Sequence, residues 1–201
     1  MSKSREETDA IALLKSDHEK VKDLFKQFES AESQEDKDGI IEQAIAELKI
    51  HAQIEEEIFY PALRGEVEDD LMNEADEEHH IARVLIAELE AGEGDEDERR
   101  NAKFNVLAES VRHHIKEEEG EMMPSAKKTN TDFQALGMRM VERKNELKKS
   151  GVPDDDEHEM VFSYGKVSSE ETQRPLHSRS SVETKARSSN RKPTPKAKRT
   201  A

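Results

Sequence analysis

The strongest constraint on this chain is a stretch that occurs twice. His51-Ala52-Gln53-Ile54-Glu55-Glu56-Glu57-Ile58-Phe59-Tyr60-Pro61 returns as His114-Ile115-Lys116-Glu117-Glu118-Glu119-Gly120-Glu121-Met122-Met123-Pro124, at a constant offset of 63 residues. In both copies a His is followed four residues later by Glu, then by another Glu, two large apolar residues and a Pro. A helix turns about 100° and rises about 1.5 Å per residue, so His and Glu four apart share one face, one turn apart. Two donors so placed can reach one metal ion if that face turns inward.

The surrounding apolar pattern says that it does. A first helix, capped by Thr8 or Asp9 and running to about Ser30, carries Ile11, Leu14, Val21, Phe25 and Phe28 at three-four spacing. The missing slot in that rhythm is His18. After a polar turn at Ser33 to Asp38, a second helix carries Ile41, Ala44, Ile45 and Leu48, and its stripe then passes through His51 and Glu55. Pro61 is expected to end or kink this helix near Tyr60. A turn at Arg64-Gly65-Glu66 leads to a third helix whose stripe is Met72, Ala75, His79, Ala82, Ile86 and Leu89. Gly92-Glu93-Gly94-Asp95 breaks the chain, and the fourth stripe reads Phe104, Leu107, Val111, His114, Glu118 and Met122.

The repeated unit is thus a helix pair, with Asp17-His18 matching Glu78-His79 and the two His-x3-Glu segments matching each other. One pair leaves an apolar face uncovered, and two pairs close it. The expected fold is all-α, an up-down-up-down four-helix bundle within residues 1–150, with a short fifth helix from Asp132 to about Lys149 on its end or flank. Residues 151–201 are expected to form a disordered tail, with Val161-Phe162-Ser163-Tyr164 as its one apolar cluster.

Only 32% of the chain is hydrophobic and 39% is charged, consistent with a modest core plus a tail. Cysteine is absent, which excludes a disulfide framework, a thiolate metal site and a thiol nucleophile. No segment approaches a membrane span, so a cytoplasmic location and no membrane partner are expected. The net charge of −15 is unevenly spread: from Lys166 onward there are ten basic and three acidic residues. The acidic body repels nucleic acid; the basic tail permits at most a weak contact with it, and a solubilising role is the favoured expectation.

Six polar residues therefore replace core positions on four helices: His18, His51, Glu55, His79, His114 and Glu118. A buried polar group without a partner costs on the order of 1–3 kcal/mol, and a charge more. Bound cations remove that cost. Two metal ions with two carboxylates and four imidazoles is the economical arrangement for a twofold donor set. Imidazole and carboxylate suit iron, manganese or zinc. About four protein donors per ion leave positions for an exogenous molecule, which favours iron handling a small oxidant. His80 and His113 fall off the stripe and are assigned to the surface or to a supporting role. Glu56, Glu57, Glu117 and Glu119 are assigned to the solvated face, with a supporting acceptor for an imidazole allowed among them.

The Asp-His opening, the two His-x3-Glu-Glu helices ending in Pro, and Glu-Glu-His-His before an apolar stripe resemble the hemerythrin-like, HHE cation-binding domain over residues 8–150. That resemblance implies a non-haem di-iron centre with two iron ions ligated at His18, His51, Glu55, His79, His114 and Glu118, both glutamates bridging. In oxygen-carrying members a fifth His precedes the third-helix ligand by one turn; Ala75 stands there, so oxygen carriage is not expected. The set of four His and two Glu is more similar to bacterial di-iron proteins of nitric oxide stress and iron–sulfur repair, which add a cysteine-bearing segment not found here. The expected function is a di-iron protein that senses or reacts with oxygen, peroxide or nitric oxide in stress response or iron handling. The alternative is an iron-dependent interaction module without catalysis.

Overall fold

A computed structural model describes residues 9–92 and 96–153. The expectations for Thr8, for the end of the break at residues 93–95 and for the tail beyond residue 153, including its apolar cluster, lie outside the described residues.

The described chain is helical, in the expected bundle. Helix α1, Ala10–Ser30, is capped by Asp9, whose carboxylate accepts from the Ala12 N–H at 3.1 Å. Helix α2, Gln34–Ile54, starts earlier than expected. Ser33 Oγ accepts from the Asp36 N–H and donates to the Asp36 carboxylate at 2.6 Å, so most of the polar stretch is first helical turn rather than loop. Gly65, at φ +82°, makes the turn into helix α3, Asp69–Ala91. Helix α4 spans Asp97–Glu117. Helix α5, Phe133–Ser150, is capped by Asp132 and stopped by Gly151, again at φ +82°.

Pro61 does not end its helix. The last turn of α2 widens into a π-turn at Glu55–Phe59 and resumes as α-helix at Tyr60–Leu63. The Tyr60 N–H bonds back five residues to the Glu55 carbonyl, and Pro61, which has no N–H, sits just beyond this widened step. The fourth helix repeats the device: α4 widens at Glu118–Met122 and resumes at Met123–Ala126, across Pro124.

Helix α1 packs on α2 and α3 on α4, while α5 lies on the flank formed by α1, α2 and the first π-turn. The apolar side chains form two cores. One holds Leu14, Ile54, Phe59, Leu63, Met72 and Met123, with Leu136, Met140 and Leu147 of α5. The other holds Val21, Phe25, Phe28, Ile41, Phe104 and Leu107. Removing a ring such as Phe104 from the second core would cost about 3–5 kcal/mol. Between the cores lies a polar layer. Among the described residues no helix is long and apolar enough to cross a membrane.

Candidate metal centre

That layer is made by the six residues the stripes set apart. His18, His51, Glu55, His79, His114 and Glu118 are all buried, Glu55 completely. They converge as two overlapping donor groups. One atom each from His18, His51, Glu55 and Glu118 lie within 4.8 Å of one another, and so do atoms of Glu55, His79 and His114. Glu55 therefore belongs to both groups. Glu118 joins only the first, so Glu55 is the glutamate common to both groups.

The separations fit metal ligation. Donors about 2.1 Å from one ion and at right angles lie about 3.0 Å apart. His18 Nε2 is 3.2 Å from His51 Nε2 and 3.1 Å from Glu118 Oε2, and His51 Nε2 is 3.1 Å from Glu55 Oε1. In the second group His79 Nε2 is 3.3 Å from His114 Nε2 and 3.4 Å from Glu55 Oε2. Yet neither carboxylate oxygen of Glu55 or of Glu118 receives a hydrogen bond, although all four are buried. Carboxylates in such surroundings need a counter-charge, and lone pairs aimed at common points supply the ligands for one.

Each imidazole is held from behind by a carboxylate. His18 Nδ1 donates to Glu119 Oε1 at 2.9 Å, His79 Nδ1 to Glu56 Oε1 at 2.8 Å and His114 Nδ1 to Glu78 Oε2 at 2.8 Å. His51 Nδ1 lies 3.7 Å from Asp17 Oδ2, an ion-pair distance rather than a hydrogen bond. A carboxylate at Nδ1 keeps the proton there and leaves the Nε2 lone pair facing the centre. The four holders are the residues beside ligands: Asp17 and Glu78 precede His18 and His79, and Glu56 and Glu119 follow Glu55 and Glu118. Glu56 and Glu119 thus leave the solvated-face class. Glu57 and Glu117 stay in it, Glu57 paired with Arg143 at 2.6 Å and Glu117 with His113 at 3.2 Å. An acidic neighbour at four of the six inward residues, His18, Glu55, His79 and Glu118, repeated in both halves, was the signal that could have identified the holders.

The electrostatics follow. Burial alone would lower the pKa of His51, but Glu55, Asp17 and Glu118 outweigh it and raise it to about 10. His79 is likewise raised to about 9, Glu55 and Glu56 overcoming burial. Burial opposes ionisation of Glu55, but His51 and His79 hold its carboxyl well below the usual range. In the absence of metal, protons on imidazole supply the positive charge that the carboxylates demand.

Tyr60 completes the second group and was missed in the sequence. Its hydroxyl lies 3.2 Å from His79 Nε2, and its ring is 1% exposed. Burial and then the Glu55 carboxylate push its pKa well above 10, so it keeps its proton. An α-helical reading from Glu55 turns Ile58 and Phe59 inward; both are buried, and the five-residue π-turn brings Tyr60 to the Glu55 face as well. A small cavity of about 40 Å³ adjoins all four imidazoles, with Val21, Leu48, Ala82 and Ile86 in its wall. It has room for a molecule of a few heavy atoms. His80 is exposed, and His113 is 58% exposed, as their off-stripe positions imply.

The model of the Hemerythrin HHE cation binding domain family matches residues 9–126 of this chain. No curated protein and no solved structure matches it.

Proposed function

Because the chain belongs to the hemerythrin HHE cation-binding family, in which cation binding is the shared property, we propose that it is a cytoplasmic non-haem di-iron protein that senses or reacts with oxygen, peroxide or nitric oxide. The observation that carries this reading is the pair of donor groups joined at Glu55, with four buried carboxylate oxygens that receive no hydrogen bond. His18, His51, Glu55 and Glu118 would hold one ion, and Glu55, His79 and His114 the other. Bound iron would supply one-electron redox chemistry and open positions for a small oxidant.

The chain's own residues prepare the site for that task. Glu119, Asp17, Glu56 and Glu78 aim the imidazoles, and Asp17 and Glu56 help raise the basicity of His51 and His79. The apolar wall beside the imidazoles favours a small, weakly polar visitor over a hydrated anion or an organic substrate. Tyr60 keeps its phenolic proton beside His79 and can donate it as a hydrogen bond once Nε2 is engaged elsewhere. Ala75 lines the second side of the centre with a methyl group where a donor would close it.

The deciding experiment is the metal content of freshly purified protein, with optical spectra in air and after anaerobic reduction. Two irons per chain, with charge-transfer bands that bleach on reduction, is the expected result. A folded protein that holds no metal and takes up no ferrous ion would overturn the proposal and leave the six residues as a polar packing layer.

A further inference from the structure

Three of the four carboxylates that hold a ligand imidazole are themselves met by a Lys or Arg. Asp17 is paired with Lys144, Glu119 with Lys22 at 3.1 Å and Lys15 at 3.5 Å, and Glu56 with Arg83. Glu78 is met differently. Its Oε2 holds His114 Nδ1 at 2.8 Å, while its Oε1 lies 3.8 Å from His113 Nε2. The same nitrogen is 3.2 Å from Glu117 Oε1, and one atom each from Glu78, His113 and Glu117 lie within 4.8 Å of one another. An imidazole and a second carboxylate thus stand where the other three holders have a fixed cation.

This cluster sits beside a narrow opening into the bundle. Glu74, Glu78, Glu117, His114 and Glu118 line a cleft of about 10 Å³, with Leu71, Ala75 and Met122 as its apolar part. Glu118 is 1% exposed, and neither of its carboxylate oxygens receives a hydrogen bond. The cleft is just large enough for one water-sized particle. Three carboxylates, Glu74, Glu78 and Glu117, thus share one cleft with the unsatisfied Glu118, an arrangement that suits passage of a cation.

We propose that Glu78, His113 and Glu117 form an exchangeable divalent-cation site that captures ferrous ion and passes it along this cleft to the buried centre. The delivery step rests on the reading of that centre as an iron site. One imidazole and two carboxylates suit ferrous, manganous or zinc ions, and the 3.2 Å separation of His113 and Glu117 matches neighbouring ligands on one ion. His113 and Glu117 are four apart on α4 and project together. At 58% exposure, His113 can exchange ligands with water freely. Glu78 links the two sites, with one oxygen toward the surface cluster and the other on His114. The transfer is ligand exchange alone, with no change in the oxidation state of the ion.

The test compares metal-free wild type with the double variant His113→Ala/Glu117→Gln, which changes one exposed and one half-buried side chain outside both apolar cores; matching thermal melts confirm that the fold is kept. Ferrous ion is added anaerobically, uptake is stopped with a chelator at timed intervals, and bound iron is measured. Equal iron at saturation is expected, with loading at least tenfold slower in the variant. Manganous ion titrated into iron-loaded protein, followed by electron paramagnetic resonance, should show one weaker extra site in wild type that the variant lacks. Equal loading rates, or the same number of manganous sites in both proteins, would overturn the proposal. Failure of wild type itself to load iron would sink the reading of the buried centre and the delivery step with it. In that case titration of the metal-free proteins judges the surface site alone: loss of a manganous site in the variant supports it, and no difference overturns it.

Discussion

The two halves of the centre descend from one repeated helix pair, yet the structure makes them unequal. The half built on His18 and His51 has two carboxylates, Glu55 and Glu118, and α5 lies over its flank so that Lys144 reaches Asp17. The half built on His79 and His114 shares Glu55 only, and has the Tyr60 hydroxyl and the Ala75 methyl beside it. The position matching Tyr60 in the repeat is Met123, which carries no hydroxyl. The difference teaches that the repeat fixes which donors are present, whereas the neighbours of each copy decide how many donors each group would offer an ion. On this reading the first half anchors its ion and the second leaves room for chemistry.

The most severe way to break the comparison is to remove the residue the halves share. Glu55→Ala is expected to abolish binding of both ions, while Glu118→Ala should spare the second; elemental analysis of the two variants decides it. Equal losses would mean that the halves are equivalent after all.

Proton competition comes next in size. In the metal-free fold His51 titrates at about 10 and His79 at about 9, against about 6.5 in an unfolded chain. Because both values are raised, their contribution to stability is fully present below pH 6.5 and is lost as pH rises through 9 to 10. Between those limits each half must release a proton to take up its ion. The overall two-ion binding constant should therefore rise about a hundredfold per pH unit from pH 6.5 to 8.5. Titrations with a competing chelator would show this slope, and a flat profile would contradict the protonated layer.

Lys144→Met should act on one half. It removes the cation behind Asp17 and is expected to weaken binding at the first ion by roughly 10–100-fold, leaving the second nearly unchanged. Stepwise metal titration separates the two. The smallest effect is expected from Tyr60→Phe, which removes one buried hydroxyl and should shift stability by about 1 kcal/mol while both ions remain. Its signature would be a changed optical spectrum or reaction rate with the small oxidant. An unchanged spectrum and rate would place Tyr60 in packing alone.

Much of this was legible in the sequence. The stripes of α1 to α4 give the bundle because three-four spacing is set by the helical turn, and His18, His51, Glu55, His79, His114 and Glu118 stand out as polar groups in apolar slots. The caps at Asp9 and Asp132 and the stops at Gly65 and Gly151 are local chemistry, readable from a few residues. The carboxylates behind the imidazoles were harder: Glu56 and Glu119 hold His79 and His18, which lie on different helices, and distance in sequence hides that contact.

The sequence by itself determined the fold and the six inward donors, because helical periodicity is a property of each segment alone. Only the tertiary structure decided the rest. The π-turns shift the register after Glu55 and Glu118, so that Tyr60 turns inward against its stripe and Pro61 is accommodated without a break. Packing of α5 on α1 and α2 brings Lys144 to Asp17 across more than a hundred residues. It is also packing that divides the donors into a four-residue and a three-residue group. The physical reason is the same throughout: a repeat copies side chains, but coordination and charge balance depend on what lies within a few ångströms, which only the folded chain defines.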